Sequence, residues 1–179
     1  MAPSTPTLTV WKTEDEIRQR IRELATQLNR DYADRELHVL GILRGGFVFM
    51  ADLIRAMGLD VKCHFINLYF KNASLKDEEV REIEETVIYP PKDLTGKHLL
   101  LLDSVLDTGI VMNHIVNHLH VQGAASIRVA VLVDKPFSRR VDLNADYVAF
   151  ELPDREFIFG YGMDRDDHHR NLPYLAKMS

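Results

Sequence analysis

Apolar residues along the first half of the chain follow helical and strand patterns in turn. Thr13 and Glu16 have the spacing of a capping box, and apolar residues then recur at helical period, which predicts a helix to about Asp31. An unbroken apolar run over residues 37–43 predicts a buried strand. The elements predicted next are a helix over residues 47–57, which ends at Gly58, and a strand over residues 61–68.

The second half of the chain repeats this alternation of strand and helix. An apolar run over residues 97–103 predicts the central strand, and after Gly109 the pattern becomes helical as far as Gly123. Further strands are predicted at residues 127–133, 147–150 and 156–161. Repeated strand–helix–strand units are typical of an α/β fold with a mostly parallel central sheet flanked by helices.

Two segments show neither the helical nor the strand pattern of apolar residues. Residues 1–10 are rich in Pro and Thr, which predicts an irregular N-terminal tail. Residues 71–85 are highly charged without a clear period, so we expect a long exposed loop there. This loop lies within a region, residues 69–91, that we expect to be mobile, because long loops in compact domains are often mobile and functional.

The polar loop between the central strand and the following helix is the first candidate for chemistry. Residues 99–102, all leucine, lead into Asp103, Ser104, Asp107, Thr108 and Gly109. The first backbone N–H groups of a helix lack internal partners and carry partial positive charge, so they attract a phosphate group. The alternative is an ordinary strand-to-helix turn in which Asp107 and Thr108 cap the helix.

Polar segments also follow two other predicted strands. Residues 44–46 follow the strand of residues 37–43, and residues 134–135 follow that of residues 127–133. Ligands of open α/β sheets bind at the carboxyl ends of the strands, where these segments would meet the loop of residues 103–109. The sequence therefore predicts a ligand site at one edge of the sheet.

Composition and charge narrow the classes of function. A chain of 179 residues with 46% hydrophobic and 27% charged residues is expected to form one globular domain over residues 1–179. The net charge of −5 argues against nucleic acid as a partner. The chain has no apolar run of about 20 residues and no signal-peptide pattern, and its one cysteine, Cys63, cannot form an internal disulfide. We therefore expect a cytoplasmic protein that does not act at a membrane.

Four separated motifs resemble the signatures of one enzyme family. They occupy residues 41–53, residues 103–109, residues 132–136, and residues 157–164 together with 170–174. In order and spacing they resemble the type I phosphoribosyltransferases, and in particular the bacterial-type hypoxanthine/guanine phosphoribosyltransferases. The likeness extends over residues 10–175 and is weakest over residues 69–91.

The resemblance implies a fold, a reaction and a metal. The expected fold is the type I phosphoribosyltransferase fold, in which a mostly parallel sheet flanked by helices carries a small hood. The expected reaction transfers phosphoribose from phosphoribosyl diphosphate (PRPP) to N9 of a 6-oxopurine and releases pyrophosphate. The residues that match PRPP-binding positions are Arg44, Gly45, Asp103, Ser104, Asp107, Thr108, Gly109, Ile110, Val111 and Arg170. Mg²⁺ is the implied cofactor, with Asp103 and Asp164 as its protein ligands.

The resemblance also implies roles at the purine. Asp107 matches the catalytic acid that exchanges the proton at purine N7, and a carboxylate there stabilises the positive charge that develops on the ribose. Lys135 matches the donor to the 6-oxo group, Phe157 the aromatic ring that stacks on the purine, and Ile158 the main chain that contacts the purine edge. The implied purine-binding set is Lys135, Phe157, Ile158 and Asp164. Without the resemblance, a solvated turn lysine and a core phenylalanine would be the default interpretations.

Departures from the family pattern leave a second function open. Ser104 stands where the family usually has a second acid, and Val111 where it has a threonine whose hydroxyl binds the phosphate. Ile110 replaces a common basic residue, and residues 69–71 lack the Ser-Tyr pair of the family's mobile loop. The alternative is a catalytically weak protein that binds PRPP or a nucleotide as a sensor. Family members commonly form homodimers or homotetramers, and we expect the same here.

Overall fold

The computed structural model describes residues 8–75, 78–89, 93–154 and 156–178. Its strands are β1 (Leu8–Lys12), β2 (Leu37–Leu43), β3 (Val61–Leu75), β4 (Glu78–Tyr89), β5 (His98–Leu106), β6 (Ser126–Asp134), β7 (Tyr147–Glu151), β8 (Ile158–Phe159) and β9 (Leu175–Met178). Its α-helices are α1 (Glu14–Asp31), α2 (Phe47–Ala56) and α3 (Ile110–Val121), and a 3₁₀ turn covers Pro136–Ser138.

The main sheet has six strands in the order β4-β3-β2-β5-β6-β7. Five neighbouring strands, from β3 to β7 in that order, run parallel, and β4 pairs antiparallel with β3 at one edge. The chain goes from β2 to β3 on one side and later places β5 on the other side of β2. The strand order therefore switches between β2 and β5, which is where open α/β sheets bind ligands. The predicted α/β fold is confirmed.

Two apolar layers cover the two faces of this sheet. One core cluster combines residues of α1 and α2 with one face of the sheet, and the other combines residues of α3 with the opposite face. Successive residues of β5 enter different layers, because side chains alternate along a strand: Leu100 joins the first cluster and Leu101 the second. A strand covered on both faces is apolar throughout, which explains the unbroken leucine run.

The first turn of α1 is stabilised as its sequence predicts. The Thr13 hydroxyl accepts a hydrogen bond from the Glu16 N–H at 3.3 Å, and the Glu16 carboxylate accepts one from the Thr13 N–H at 2.9 Å. This capping box, chiefly through the Thr13 N–H, lowers the pKa of Glu16 to about 2. The face that α1 buries consists of Ile17, Ile21, Leu24, Ala25 and Leu28. No helix in the described ranges is both long enough and apolar enough to cross a lipid bilayer.

A second, three-stranded sheet in the order β1-β9-β8 forms the small hood. β1 pairs antiparallel with β9, from Leu8 opposite Met178 to Lys12 opposite Leu175. The predicted irregular tail is therefore wrong for residues 8–10, and residues 1–7 lie outside the described ranges. The pairing joins two distant parts of the chain, and local composition carries little information about such a partner.

The exposed loop predicted over residues 71–85 is also wrong. β3 continues to Leu75, and β4 returns antiparallel beside it, while residues 76–77 and 90–92 lie outside the described ranges. An antiparallel hairpin at a sheet edge satisfies its backbone hydrogen bonds without burying both faces, so a highly charged sequence can form one. The mobility of residues 69–91 stays a prediction.

Candidate active site

Two adjoining cavities lie at the carboxyl ends of β2 and β5, where the strand order switches. The larger cavity, of about 550 Å³, is lined by seven predicted site residues: Arg44, Gly45, Ser104, Phe157, Ile158, Asp164 and Arg170. The smaller one, of about 230 Å³ and here called the loop cavity, is lined by five others: Asp103, Asp107, Thr108, Gly109 and Val111. Leu43, Leu68 and Val105 line both, so the two cavities share a wall.

The loop of residues 107–109 leaves the first turn of α3 without a capping side chain. Gly109 is the N-cap, and its φ of 80° lies in the left-handed region that favours glycine. The Thr108 hydroxyl accepts only a long, 3.4 Å hydrogen bond from the N–H of Ile110, whose own side chain is half exposed outside both cavities. Of the turn expected to be capped by Asp107 and Thr108, the described residues therefore show only the long Thr108 contact. The first N–H groups of a helix without a capping side chain can bind an anionic ligand.

Asp103 and Ser104 lie where the two cavities meet, since the first lines the loop cavity and the second the larger one. The Asp103 carboxylate accepts hydrogen bonds from the Ser104 N–H at 2.6 Å and from the Ser104 hydroxyl at 3.3 Å. Burial nevertheless dominates and raises the pKa of Asp103 to about 7. Among the described residues no cationic side chain is paired with this acid, and a bound cation would stabilise its anionic form.

Charged side chains from distant parts of the chain meet at the larger cavity. Arg44, which follows the cis peptide bond Leu43–Arg44, has its Nη2 atom 3.2 Å from Asp167 Oδ1. The Nη2 atom of Arg170 lies 2.7 Å from Asp164 Oδ1 and 3.7 Å from Asp167 Oδ1. Two guanidinium groups, each held by carboxylates, therefore face one cavity. Arginine side chains in such pairs are suited to bind phosphate groups bidentately.

Lys135 lies at the end of β6 and is buried, with 8% of the residue exposed. Its ammonium group donates a hydrogen bond to the carbonyl of Glu156 at 2.9 Å, so the alternative of a solvated turn lysine is wrong. Phe157 follows at the wall of the larger cavity and is 54% exposed, so the alternative of a core residue is wrong for it. Its ring stacks on Phe159 at 6.4 Å, while Ile158 between them is buried. The segment of residues 156–158 therefore accepts a hydrogen bond from the buried Lys135 ammonium group and carries the exposed ring of Phe157.

Comparison with known proteins agrees with this geometry. A family model for the phosphoribosyl transferase domain matches residues 12–166 of the chain. The chain belongs to the phosphoribosyl transferase family. The matched range contains β2, β5 and β6, whose carboxyl ends carry the site of this phosphoribosyltransferase, and every predicted site residue except Arg170.

Individual phosphoribosyltransferases are similar to this one over almost their whole length. The chain is 34% identical over 170 residues to a hypoxanthine phosphoribosyltransferase of Haemophilus influenzae, which covers 93% of this chain and 92% of that protein. It is 37% identical over 161 residues to a hypoxanthine-guanine phosphoribosyltransferase of Aquifex aeolicus, covering 89% and 88%. The crystal structure of a hypoxanthine phosphoribosyltransferase from Staphylococcus aureus matches with a TM-score of 0.84 at 31% identity, covering 96% and 91%.

The two carboxylates expected to hold a divalent cation in this phosphoribosyltransferase lie on adjoining cavities. Carboxylate oxygens are the ligands that Mg²⁺ prefers, and burial raises the pKa of the Asp103 carboxyl. Asp164 uses one oxygen for Arg170, and its other oxygen accepts the N–H of Asp167 at 3.0 Å. The described residues contain no group of three or more ligating side chains. Carboxylates on adjoining cavities are the ligand type suited to a hard cation that takes most of its ligands from a substrate and water.

Two residues at the site were missed by sequence reasoning. Asp167, which contacts both Arg44 and Arg170, is one of several acids in a charged run, and nothing in the run distinguishes it. Arg139 forms hydrogen bonds to the carbonyl of Asp107 and to the carboxylate of Asp134, beneath the loop. Its one sequence signal is its position four residues after Lys135, next to Arg140.

Proposed function

We propose that this phosphoribosyltransferase transfers phosphoribose from PRPP to N9 of hypoxanthine or guanine, forming IMP or GMP and pyrophosphate for purine salvage. The observation that carries the proposal is the hydrogen bond from the Lys135 N–H to the Leu106 carbonyl, at 2.9 Å. This bond joins the backbone of the lysine that would recognise the purine to Leu106, the residue before Asp107, which would handle the purine's proton. The names and similarity of the relatives support the same reaction.

Binding of PRPP begins with its 5′-phosphate at the loop cavity. The uncapped N–H groups at the start of α3 and the partial positive charge of the helix terminus would hold the phosphate there. Arg44 and Arg170 would bind the pyrophosphate group in the larger cavity and would exchange their carboxylate partners for phosphate oxygens. The shared wall of the two cavities then lies beneath the ribose.

In the reaction, the bond between C1′ and the pyrophosphate oxygen breaks, and pyrophosphate leaves with the electron pair. Positive charge develops on the ribose as the bond between C1′ and purine N9 forms. The exposed carboxylate of Asp107, on the loop cavity, would stabilise this charge and accept the proton that the base loses at N7. A Mg²⁺ ion held by Asp103 and Asp164 would neutralise charge on the leaving pyrophosphate.

Lys135 would give the site its preference for oxopurines. A lysine ammonium has three N–H donors, and in the described residues one of them is used, by the Glu156 carbonyl. A remaining donor would bind the 6-oxo group of hypoxanthine or guanine. Adenine presents a donor at the same position, and such a mismatch in a buried site costs about 1–3 kcal/mol. The exposed ring of Phe157 would stack on the bound purine.

The sensor alternative is not favoured. It rests on the altered loop of residues 69–71 and on Ser104 and Val111, which line the two cavities in place of a second acid and of a phosphate-binding hydroxyl. Each of these changes removes a single contact, whereas Asp107 and Lys135, to which we assign the proton transfer and the recognition of the base, are retained. The relatives of comparable length are named as enzymes.

A steady-state assay tests the proposed function. Purified protein is mixed with PRPP, Mg²⁺ and one base at a time, and formation of the nucleoside monophosphate is followed. We expect turnover with hypoxanthine or guanine, and kcat/KM for adenine at least tenfold lower, as the Lys135 contact requires. Equal use of adenine would contradict the role of Lys135, and an absence of turnover with every base would leave the sensor alternative.

We further propose a cytoplasmic homodimer or homotetramer with one phosphoribosyltransferase domain. Phe47, at the start of α2, is 45% exposed on a cleft of about 960 Å³ between α1 and α2, and exposed apolar patches commonly mark contact surfaces. Light scattering after gel filtration would give a mass of two or four chains. Phe47→Lys would lower that mass if this face is the contact, and an unchanged mass would exclude it.

A further inference from the structure

Three consecutive carbonyl groups, of Leu106 at the end of β5 and of Asp107 and Thr108 in the loop that follows, accept hydrogen bonds from one short segment, residues 135–140, here called the tether segment. The Lys135 N–H donates to the Leu106 carbonyl at 2.9 Å. The Arg139 Nη1 group donates to the Asp107 carbonyl at 2.5 Å, and the Arg140 N–H donates to the Thr108 carbonyl at 2.9 Å. The two outer bonds come from backbone, and the central one from a side chain.

This arrangement fixes the direction of the loop's amide groups. In a trans peptide the C=O and the following N–H point in opposite directions. The carbonyls of residues 106, 107 and 108 point at the tether segment, so the N–H groups of residues 107, 108 and 109 point away from it. Successive N–H groups directed to one side form a concave site for an anion. With these three bonds in place, the side of the loop that faces away from the tether segment presents N–H donors rather than carbonyl acceptors.

Arg139 is largely buried and packs against the loop. Its side chain is 12% exposed and forms an ion pair with Asp134, which is 14% exposed. A Cβ added at Gly109 would lie 3.0 Å from the Arg139 Cδ atom, so the arginine stem packs directly against the loop backbone. The planar guanidinium serves Asp134 and the Asp107 carbonyl at the same time, which a lysine ammonium cannot do with the same geometry.

We propose that Arg139 is a positioning residue that orients the phosphate-binding amides of residues 107–109 and links them to the Lys135 end of the site. Arg139 is not among the residues that line either cavity, and it acts through the Asp107 carbonyl. This inference rests on the proposed function for the identity of the ligand. The orientation of the loop follows from the hydrogen bonds alone.

The experiment compares Arg139→Met with Arg140→Met. Both remove one positive charge from the tether segment, but Arg140 is exposed and holds Thr108 through its backbone, so its variant keeps all three bonds. Two quantities are measured: the dissociation constant of GMP, by calorimetry, and hydrogen exchange of the amides of residues 107–109. Because Arg139→Met leaves Asp134 without its partner, the double variant Asp134→Asn/Arg139→Met is measured as well.

We expect Arg139→Met and the double variant to raise the GMP dissociation constant roughly tenfold or more and to accelerate exchange at residues 107–109. Arg140→Met should change both quantities less than twofold to threefold. In assays, KM for PRPP should rise more than kcat falls. Equal behaviour of the Arg139 and Arg140 variants in both measurements would overturn the inference. If the wild type neither binds GMP nor turns over, the proposed function fails, and the exchange rates alone decide the role of Arg139.

Discussion

A Cβ atom added to Gly45 would lie 2.5 Å from the hydroxyl oxygen of Ser104. The loop that follows β2 and the polar end of β5 are therefore in direct contact, through a residue that has no side chain and one that has a short side chain. Ser104 also donates its N–H and its hydroxyl to Asp103. The position where the family usually carries a second acid is thus closely packed in this protein.

Replacing Ser104 by Asp tests that departure. A second carboxylate beside Asp103 adds a ligand for a hard cation but repels the first carboxylate when no cation is present. We expect Ser104→Asp to lower the Mg²⁺ concentration needed for half-maximal PRPP use, and to melt at a lower temperature than the wild type in a metal chelator. Ser104→Asn, which crowds the same buried position without adding a charge, should leave the Mg²⁺ requirement unchanged and should melt at a higher temperature than Ser104→Asp in the chelator. If both variants respond to Mg²⁺ in the same way, the position has no part in holding the metal.

The family's phosphate-binding hydroxyl can also be restored, at position 111 on the loop cavity. Val111→Thr keeps the side chain's shape and adds a hydroxyl where a bound 5′-phosphate would accept it. One added hydrogen bond to a charged group corresponds to about 1.5–3 kcal/mol, so KM for PRPP and the dissociation constant of GMP should both fall about tenfold or more, at any Mg²⁺ concentration. Ile110→Thr is the matched control, since Ile110 lies outside both cavities. A gain with Ile110→Thr equal to that with Val111→Thr would contradict the placement of the phosphate.

Asp107→Asn tests the proton transfer. The side chain is exposed at the loop cavity, so the melting temperature should stay within a degree or two of the wild type. An amide cannot take the N7 proton, and kcat should fall by roughly 10²- to 10⁴-fold. Asp142→Asn, at an exposed position away from both cavities, controls for the loss of one negative charge. A folded Asp107→Asn variant with unchanged kcat would remove Asp107 from the chemistry.

Lys135→Met separates recognition of the base from binding of PRPP. Methionine fills the buried space of the lysine stem but has no donor for a 6-oxo group. We expect kcat/KM for hypoxanthine to fall by roughly 10- to 100-fold, while KM for PRPP changes little. The preference for hypoxanthine over adenine should fall with it. A rise confined to KM for PRPP would instead make Lys135 a phosphate-contacting or structural residue.

The parts of the fold set by local patterns could be predicted from the sequence. The buried face of α1 and the leucine run of β5 follow from periodicity, because packing on one or both sides of a sheet requires those patterns. The pairing of β1 with β9 could not be predicted, since the partners lie at distant positions in the chain. The continuation of β3 beyond residue 68 and its pairing with β4 were missed because residues 71–85 are highly charged and show no clear apolar period.

The candidate site also has parts that the sequence predicts and parts that it does not. The segments carrying Arg44, Asp107 and Lys135 were predictable because each follows a strand, and parallel strands bring their carboxyl ends to one edge. The bond between Arg139 and the Asp107 carbonyl depends on how a long side chain folds back beneath a loop. The contacts of Asp167 depend on how the backbone turns after Asp164. Neither has a periodic signature in the sequence.

The central claim is that this site joins phosphoribose to a purine, and a product balance tests it most directly. Purified protein with PRPP, hypoxanthine and Mg²⁺ is sampled over time, with IMP measured by chromatography and pyrophosphate by phosphorus NMR. We predict that IMP and pyrophosphate appear in equal amounts while PRPP and hypoxanthine disappear, and that Asp107→Asn slows all four changes together. Intact PRPP and hypoxanthine in a sample whose protein binds IMP would contradict the claim and establish a nucleotide-binding protein without transferase activity.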